Sequence, residues 1–185
     1  VAATHTITFK QTQPDFVPLA LVKQHLKIDH GDEDTYLEGV RDAAIREAEG
    51  YLGTFILQRA VKVALDKAVD VVPLEYGPVL DAEAYTVVAK LDGGGTQDLA
   101  ADFTYLEPYG ETEGLYYTGQ GYPTLADDPE ALTVSYDAGL ELAALPGAIR
   151  QAILLLAGDL YEYRTDRKAI NATRAKDLLR PYRKW

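Results

Sequence analysis

The run Asp29-His30-Gly31-Asp32-Glu33-Asp34 gathers four carboxylates and an imidazole within six residues, the donor chemistry that hard divalent cations take. Counted from Asp32 as a calcium loop, however, the sixth position is Leu37 where glycine is needed, and the twelfth is Ala43 where a bidentate glutamate belongs. Acidic side chains at a helix start also cap free N–H groups and offset the helix dipole, and that role is the one predicted for this cluster. The three histidines, His5, His25 and His30, all fall in the first 30 residues, and the single serine, Ser135, sits in the strand-like Thr-Val-Ser-Tyr without flanking glycines. A serine-histidine triad on a nucleophile elbow is therefore not expected. No His-Glu-x-x-His zinc pair occurs, and Gly93-Gly94-Gly95 lacks the lysine and following helix of a phosphate-binding loop. Asn171-Ala172-Thr173 matches a glycosylation sequon and reads better as a helix cap. The 29 acidic residues allow many carboxylate pairs of the kind glycosidases use, and nothing in the sequence selects one. No catalytic, cofactor-binding or metal-ligating residue is assigned.

The elements that must carry these residues belong to a chain of 185 residues, 47% apolar, which suits a single globular domain with one sizeable insertion. Without cysteine there is no disulfide framework and no thiolate chemistry, and a reducing compartment fits. The start lacks a basic then apolar export signal, and the longest apolar run, Ala152 to Gly158, is far short of the ~18 residues a membrane span requires. A soluble protein with no membrane association is expected. No Met occurs even at position 1, as expected if the initiator is removed.

The formal charge of −11 argues against a surface that grips nucleic acid throughout. It is unevenly placed. From Arg164 to Trp185, eight basic side chains face two acidic ones, so this tail carries +6 and the remaining body −17. A basic tail on an acidic body is a docking segment for an acidic partner or nucleic acid, or else a solvated helix face.

Helical spacing runs from Pro18 to Ile28, then from the Asp32–Asp34 cluster to Leu52, with Leu37, Val40, Ala44, Ala48 and Tyr51 on one face and Gly53 as the stop. His5 to Lys10 alternates like a short strand or arm. From Phe55 to Tyr136 the pattern is β-like: Val61-Val63-Leu65, Tyr85-Val87-Val88 and Leu132-Val134-Tyr136, with a hairpin turn at Leu91–Thr96 and an extended flap from Pro108 to Pro129. Helix returns at Pro146 through Ile149, Ile153, Leu156 and Leu160. Leu154, Leu155 and Ala157 make it apolar on more than one side, so it needs several neighbours, one of which another subunit could supply. A last short helix, Ala172 to Leu179, is capped by Asn171 and ended by Pro181. The predicted fold class is α+β: a core of about four helices with a β-rich insertion between the second and third long helices. The segments are 1–53 (arm and first helical part), 54–137 (β-rich insertion with flap) and 138–185 (core helix and basic tail).

Three blocks carry a family resemblance: Pro18-Leu19-Ala20-Leu21-Val22-Lys23-Gln24-His25-Leu26-Lys27-Ile28-Asp29 with Asp32-Glu33-Asp34 and Glu49-Gly50-Tyr51-Leu52-Gly53; Leu145-Pro146 with Ile149-Arg150-Gln151-Ala152-Ile153-Leu154-Leu155-Leu156 and Tyr161-Glu162-Tyr163-Arg164; and the terminal Leu178-Leu179-Arg180-Pro181-Tyr182-Arg183-Lys184-Trp185. In this order and spacing they resemble the head-tail connector (adaptor, head completion) proteins of long-tailed bacteriophages and gene transfer agents. The blocks span the first third and last quarter of the chain; the β-rich middle is similar only in position and character. Gly158-Asp159 and the length of Thr165 to Asp177 depart from the family pattern, which bears on the geometry of the tail.

The resemblance implies a non-enzymatic structural protein of the virion neck, made in the host cytoplasm. It implies a homo-oligomeric ring of about twelve copies under the portal protein, meeting a tail terminator or stopper protein below and passing DNA through its lumen without specific binding. It makes Arg180, Tyr182, Arg183, Lys184 and Trp185 candidate portal contacts. Tyr109, Tyr116, Tyr117 and Tyr122 in the flap, with Ile149 and Leu156 on the apolar helix, become candidate intersubunit contacts. The acidic body agrees, because negative charge along a lumen lets a polyanion slide. The alternatives are another neck or tail-completion component, a carboxylate-dependent cell-wall hydrolase, and a DNA-binding module using the basic tail.

Overall fold

A computed structural model describes residues 3–9, 16–106, 113–141, 145–164 and 174–183. The chain is mixed α+β and divides into two compact units, one of Val1–Thr12 with Leu57–Leu140 and one of Gln13–Ile56 with Glu141–Trp185. The alternating N-terminal stretch thus belongs to the β-rich unit and not to the helical one.

In the helical unit, α1 (Leu19–Leu26) starts after Pro18, whose carbonyl accepts from Leu21 N–H (2.9 Å) and Val22 N–H (3.2 Å). It ends where Lys27 turns left-handed (φ 59°) and Ile28 N–H reaches back to the Lys23 carbonyl at 2.9 Å. α2 (Asp34–Leu52) buries Leu37, Val40, Ala44, Ile45, Ala48 and Leu52, and stops at the expected Gly53, at φ 69°. Buried Glu49 turns back to accept the Ile56 N–H at 2.9 Å, which holds the exit of the helix.

α3 (Gly147–Glu162) buries Ile149, Ala152, Ile153, Leu154, Leu156 and Ala157. It packs on α1, on α2 and on α4 (Arg174–Leu179), which continues as a 3-10 turn over Arg180–Tyr182. The many-sided apolar surface of α3 is therefore covered inside the unit by three helices, with Ala175 and Leu179 of α4 buried as well. Ile149 and Leu156, expected at a subunit boundary, are 1% and 3% exposed in the single chain and offer a neighbour no surface. The proposed cap Asn171 lies outside the described residues.

In the β-rich unit, a five-stranded antiparallel sheet has the order β1 (Ala3–Phe9), β2 (Arg59–Leu65), β8 (Leu132–Ala138), β4 (Tyr85–Lys90), β5 (Thr96–Asp98). The expected β4–β5 hairpin is present: Gly94 and Gly95 take φ of 86° and 88°, and Leu91 N–H donates to the Gly95 carbonyl at 3.1 Å. A second antiparallel sheet has the order β3 (Val71–Pro73), β7 (Gly114–Tyr117), β6 (Phe103–Leu106). The stretch expected to be an extended flap thus supplies β7, the central strand of this sheet, because Leu115 has a buried face to fill. One face of each sheet builds the unit's core: Val61, Val63, Val87 and Val134 from the larger, Val72, Leu115 and Phe103 from the smaller.

Candidate assembly surfaces

The acidic cluster before α2 meets the prediction in part, with Asp34 in the first turn where a carboxylate offsets the helix dipole. The N-cap is Glu33, and no side chain caps the helix. Asp34 also pairs with Lys23 Nζ at 2.7 Å, tying α1 to α2. Glu33 accepts from the Tyr161 hydroxyl and from Arg164 Nη2, both at 2.6 Å, across 128 and 131 residues of sequence. The Arg164 guanidinium lies 4.6 Å from the centre of the Tyr36 ring and 4.8 Å from that of Tyr161. The Tyr161 hydrogen bond and then the Arg164 pair hold the Glu33 carboxyl below its usual range, and the same bond raises the Tyr161 phenol. These carboxylates have protein partners, and among the described residues no group of three or more His, Asp or Glu side chains is placed to hold a metal ion. Nor, among those residues, is any helix long and apolar enough to cross a membrane.

At the C-terminal end, the 3-10 turn exposes Arg180 and leaves Tyr182 40% exposed. Arg183 is also exposed, its guanidinium 5.3 Å from the centre of the Tyr51 ring on α2. Leu179 and Ala175 anchor this segment in the core, so the exposed Arg-Pro-Tyr-Arg sequence is presented from a fixed base. Lys184 and Trp185 lie outside the described residues, as does Tyr109.

The tyrosines of the former flap divide by face. Tyr117 and Tyr122 stack at 4.0 Å between ring centres, and Phe103 meets the edge of Tyr117 at 5.3 Å. The Tyr122 hydroxyl donates to the Val69 carbonyl at 2.7 Å, while burial pushes its phenol up to about 12. These two rings are committed inside the unit. Tyr116, the next residue along β7, points the other way and is exposed.

Tyr116 is one of the expected intersubunit contacts; the residues around it have no counterpart among the sequence predictions. Val71 lies across from Tyr116 on one side and Thr104 on the other; Pro73, Gly114 and Leu106 form the next cross-strand row. Val71 is 39%, Tyr116 37% and Leu106 48% exposed, and Pro73 and Thr104 are exposed too. Among the described residues, the outward side chains of the small sheet's three strands are mostly apolar and carry no charge. The corresponding face of the larger sheet is polar, with Lys62 paired to Glu130 (3.3 Å) and Lys90 to Asp128 (3.0 Å).

No protein-family model matches the sequence, and no curated protein matches it. Solved structures do. A chain from the neck of an empty GTA particle, computed with C6 symmetry, is 24% identical with a TM-score of 0.72, covering 97% of this chain and 96% of that one. A chain from the virion of a native gene transfer agent particle is 22% identical (TM-score 0.72; 97% and 95% covered), and one from a native GTA neck computed with C12 symmetry is 21% identical (TM-score 0.72; 97% and 96% covered). The chain shares their fold over nearly its whole length.

Proposed function

We propose that this chain is a structural, non-enzymatic component of a virion neck, the head-tail adaptor that forms a ring of about twelve copies beneath the portal. The observation that carries this reading is the fold match over 97% of the chain to chains of gene transfer agent necks, two of them from necks computed with C6 and C12 symmetry. The three sequence blocks that resemble head-tail connectors support it independently. So does the charge, since a −17 body suits a conduit that lets packaged DNA pass without holding it. Assembly is the mechanism: the ring closes the filled head and presents the platform on which the tail terminator or stopper docks.

Within this reading, Arg180, Tyr182, Arg183, Lys184 and Trp185 contact the portal, with guanidinium and aromatic groups as anchors. The described part of this segment suits the task, being exposed on a base fixed by Leu179. Among the described flap tyrosines, Tyr116 is the one suited to an intersubunit contact. Particles produced without this chain should accumulate as DNA-filled heads with no tails. Particles carrying the chain truncated after Leu179 should show the same defect while the purified chain stays folded. Tailed, infectious or transducing particles in its absence would overturn the assignment.

A further inference from the structure

We infer that Tyr51, in the last turn of α2, is a positioning residue for the portal contact: its ring holds the Arg183 guanidinium in the orientation that an acidic portal surface receives. This role rests on the adaptor reading above and falls on a residue outside the C-terminal segment.

Helical spacing groups Tyr51 with Leu37, Val40, Ala44 and Ala48 on one face of α2. Those four are buried, whereas Tyr51 is only half-buried, so the core does not account for its ring. The Arg183 guanidinium lies over that ring, 5.3 Å from its centre and within cation–π range. The same device occurs near the other end of α2, where Arg164, at the start of the basic tail, lies 4.6 Å from the centre of the Tyr36 ring.

Both partners stand on fixed bases. Beside Tyr51, Leu52 is fully buried, Gly53 N–H donates to the Glu49 carbonyl at 2.9 Å, and the Glu49 carboxylate accepts the Ile56 N–H at 2.9 Å, so the end of α2 is tied off. Arg183 follows a 3-10 turn that starts from buried Leu179 and contains Pro181, whose ring fixes φ. The freedom that remains is that of the Arg183 side chain, and the Tyr51 ring restricts it before any partner arrives.

The chemistry of the partner follows from charge. The described C-terminal segment carries Arg174, Lys176, Arg180 and Arg183 against Asp177, so the surface it fits is acidic. Stacking engages the flat face of a guanidinium while its N–H donors lie in the plane, the arrangement that suits bidentate recognition of a carboxylate. A side chain already held in its binding conformation associates more tightly, because less freedom is lost on docking.

The affinity of the full-length chain for purified portal rings at moderate salt reads the effect. Tyr51→Leu should weaken it by about threefold to tenfold while the chain stays folded, and Tyr51→Phe, which keeps the ring, should bind like the wild type. Tyr51→Met serves in the same way if Tyr51→Leu does not fold. Arg183→Lys keeps the charge and loses the planar group, so it should weaken binding to a similar degree. In the Arg183→Lys background Tyr51→Leu should cost nothing more, because the ring acts through the guanidinium. Full affinity in Tyr51→Leu or in Arg183→Lys, or losses that add in the double variant, would overturn the inference and leave the adaptor reading intact. Wild-type chain with no affinity for portal rings would overturn both.

Discussion

The helical unit and the β-rich unit treat apolar surface in opposite ways. α3 carries more apolar residues than one interface can hide, and α1, α2 and α4 between them bury the excess. The three-stranded sheet carries a modest number of apolar residues and leaves Val71, Pro73, Leu106 and Tyr116 facing water. Greasiness in the sequence is thus a poor guide to where a subunit meets another. The surface left over after the chain has covered what it can is the better one.

The largest test of that contrast sets one leucine against another. Leu156→Ala in the helical core should cost about 2 to 5 kcal/mol of stability, whereas Leu106→Ala on the open sheet should cost under about 0.5 kcal/mol and weaken assembly. Urea unfolding measures the first quantity and native mass the second. Equal stability losses would erase the distinction between the units.

Buried phenols make the β-rich unit sensitive to alkaline pH. Burial raises the phenols of Tyr122, to about 12, and of Tyr136 and Tyr85 in the β-rich unit. Unfolded tyrosine ionises near 10, so the stability these groups contribute is whole below that pH and declines as pH rises toward their folded values. Tyr136→Phe removes the hydroxyl that donates to the Tyr76 carbonyl at 3.1 Å. It should cost about 1 kcal/mol at neutral pH and flatten the alkaline loss, followed by denaturant midpoints between pH 8 and 11.5.

Packing between α1 and α3 is close without being full. A Cβ on Gly158 would stand 3.7 Å from His25 Nε2 and 3.9 Å from Leu26 Cδ2, ordinary contact distances. Gly158→Ala should therefore raise stability by about 0.5 to 1 kcal/mol through helix propensity, seen as a higher thermal midpoint. Gly158→Leu should reverse the sign by driving into α1.

The smallest effect belongs to the half-buried Glu33 cluster. Its carboxyl is held low by Tyr161 and Arg164, so its contribution is present above the ordinary range near 4.5 and is lost as pH falls below it. Glu33→Gln should leave stability at pH 7 slightly reduced and its decline between pH 5 and 3 shallower, again by denaturant midpoint. An unchanged acid profile would show the cluster to be ornamental to stability.

Much of this architecture is legible locally. The Leu91–Thr96 turn, the strands at Val61–Leu65 and Leu132–Tyr136, and the span and stop of α2 all follow from period and turn chemistry within a few residues. The misses are long-range. Glu33 looked like a cap because its neighbours in sequence are a helix start; its true partners lie beyond residue 160. The open face of the small sheet comes from strands of three to four residues at 71–73, 103–106 and 114–117, too short for a period to show and aligned only by their pairing register. α3 is legible as a helix that needs several neighbours, and α4 as a short helix ending at Leu179; that α4 is one of those neighbours is a long-range fact no local period carries.

The most direct test of the neck-ring account is the native mass of the full-length chain mixed with purified portal rings at moderate salt. The account predicts one discrete complex carrying a closed ring of about twelve copies on each portal. A chain that stays monomeric and leaves the portal unaltered would contradict it.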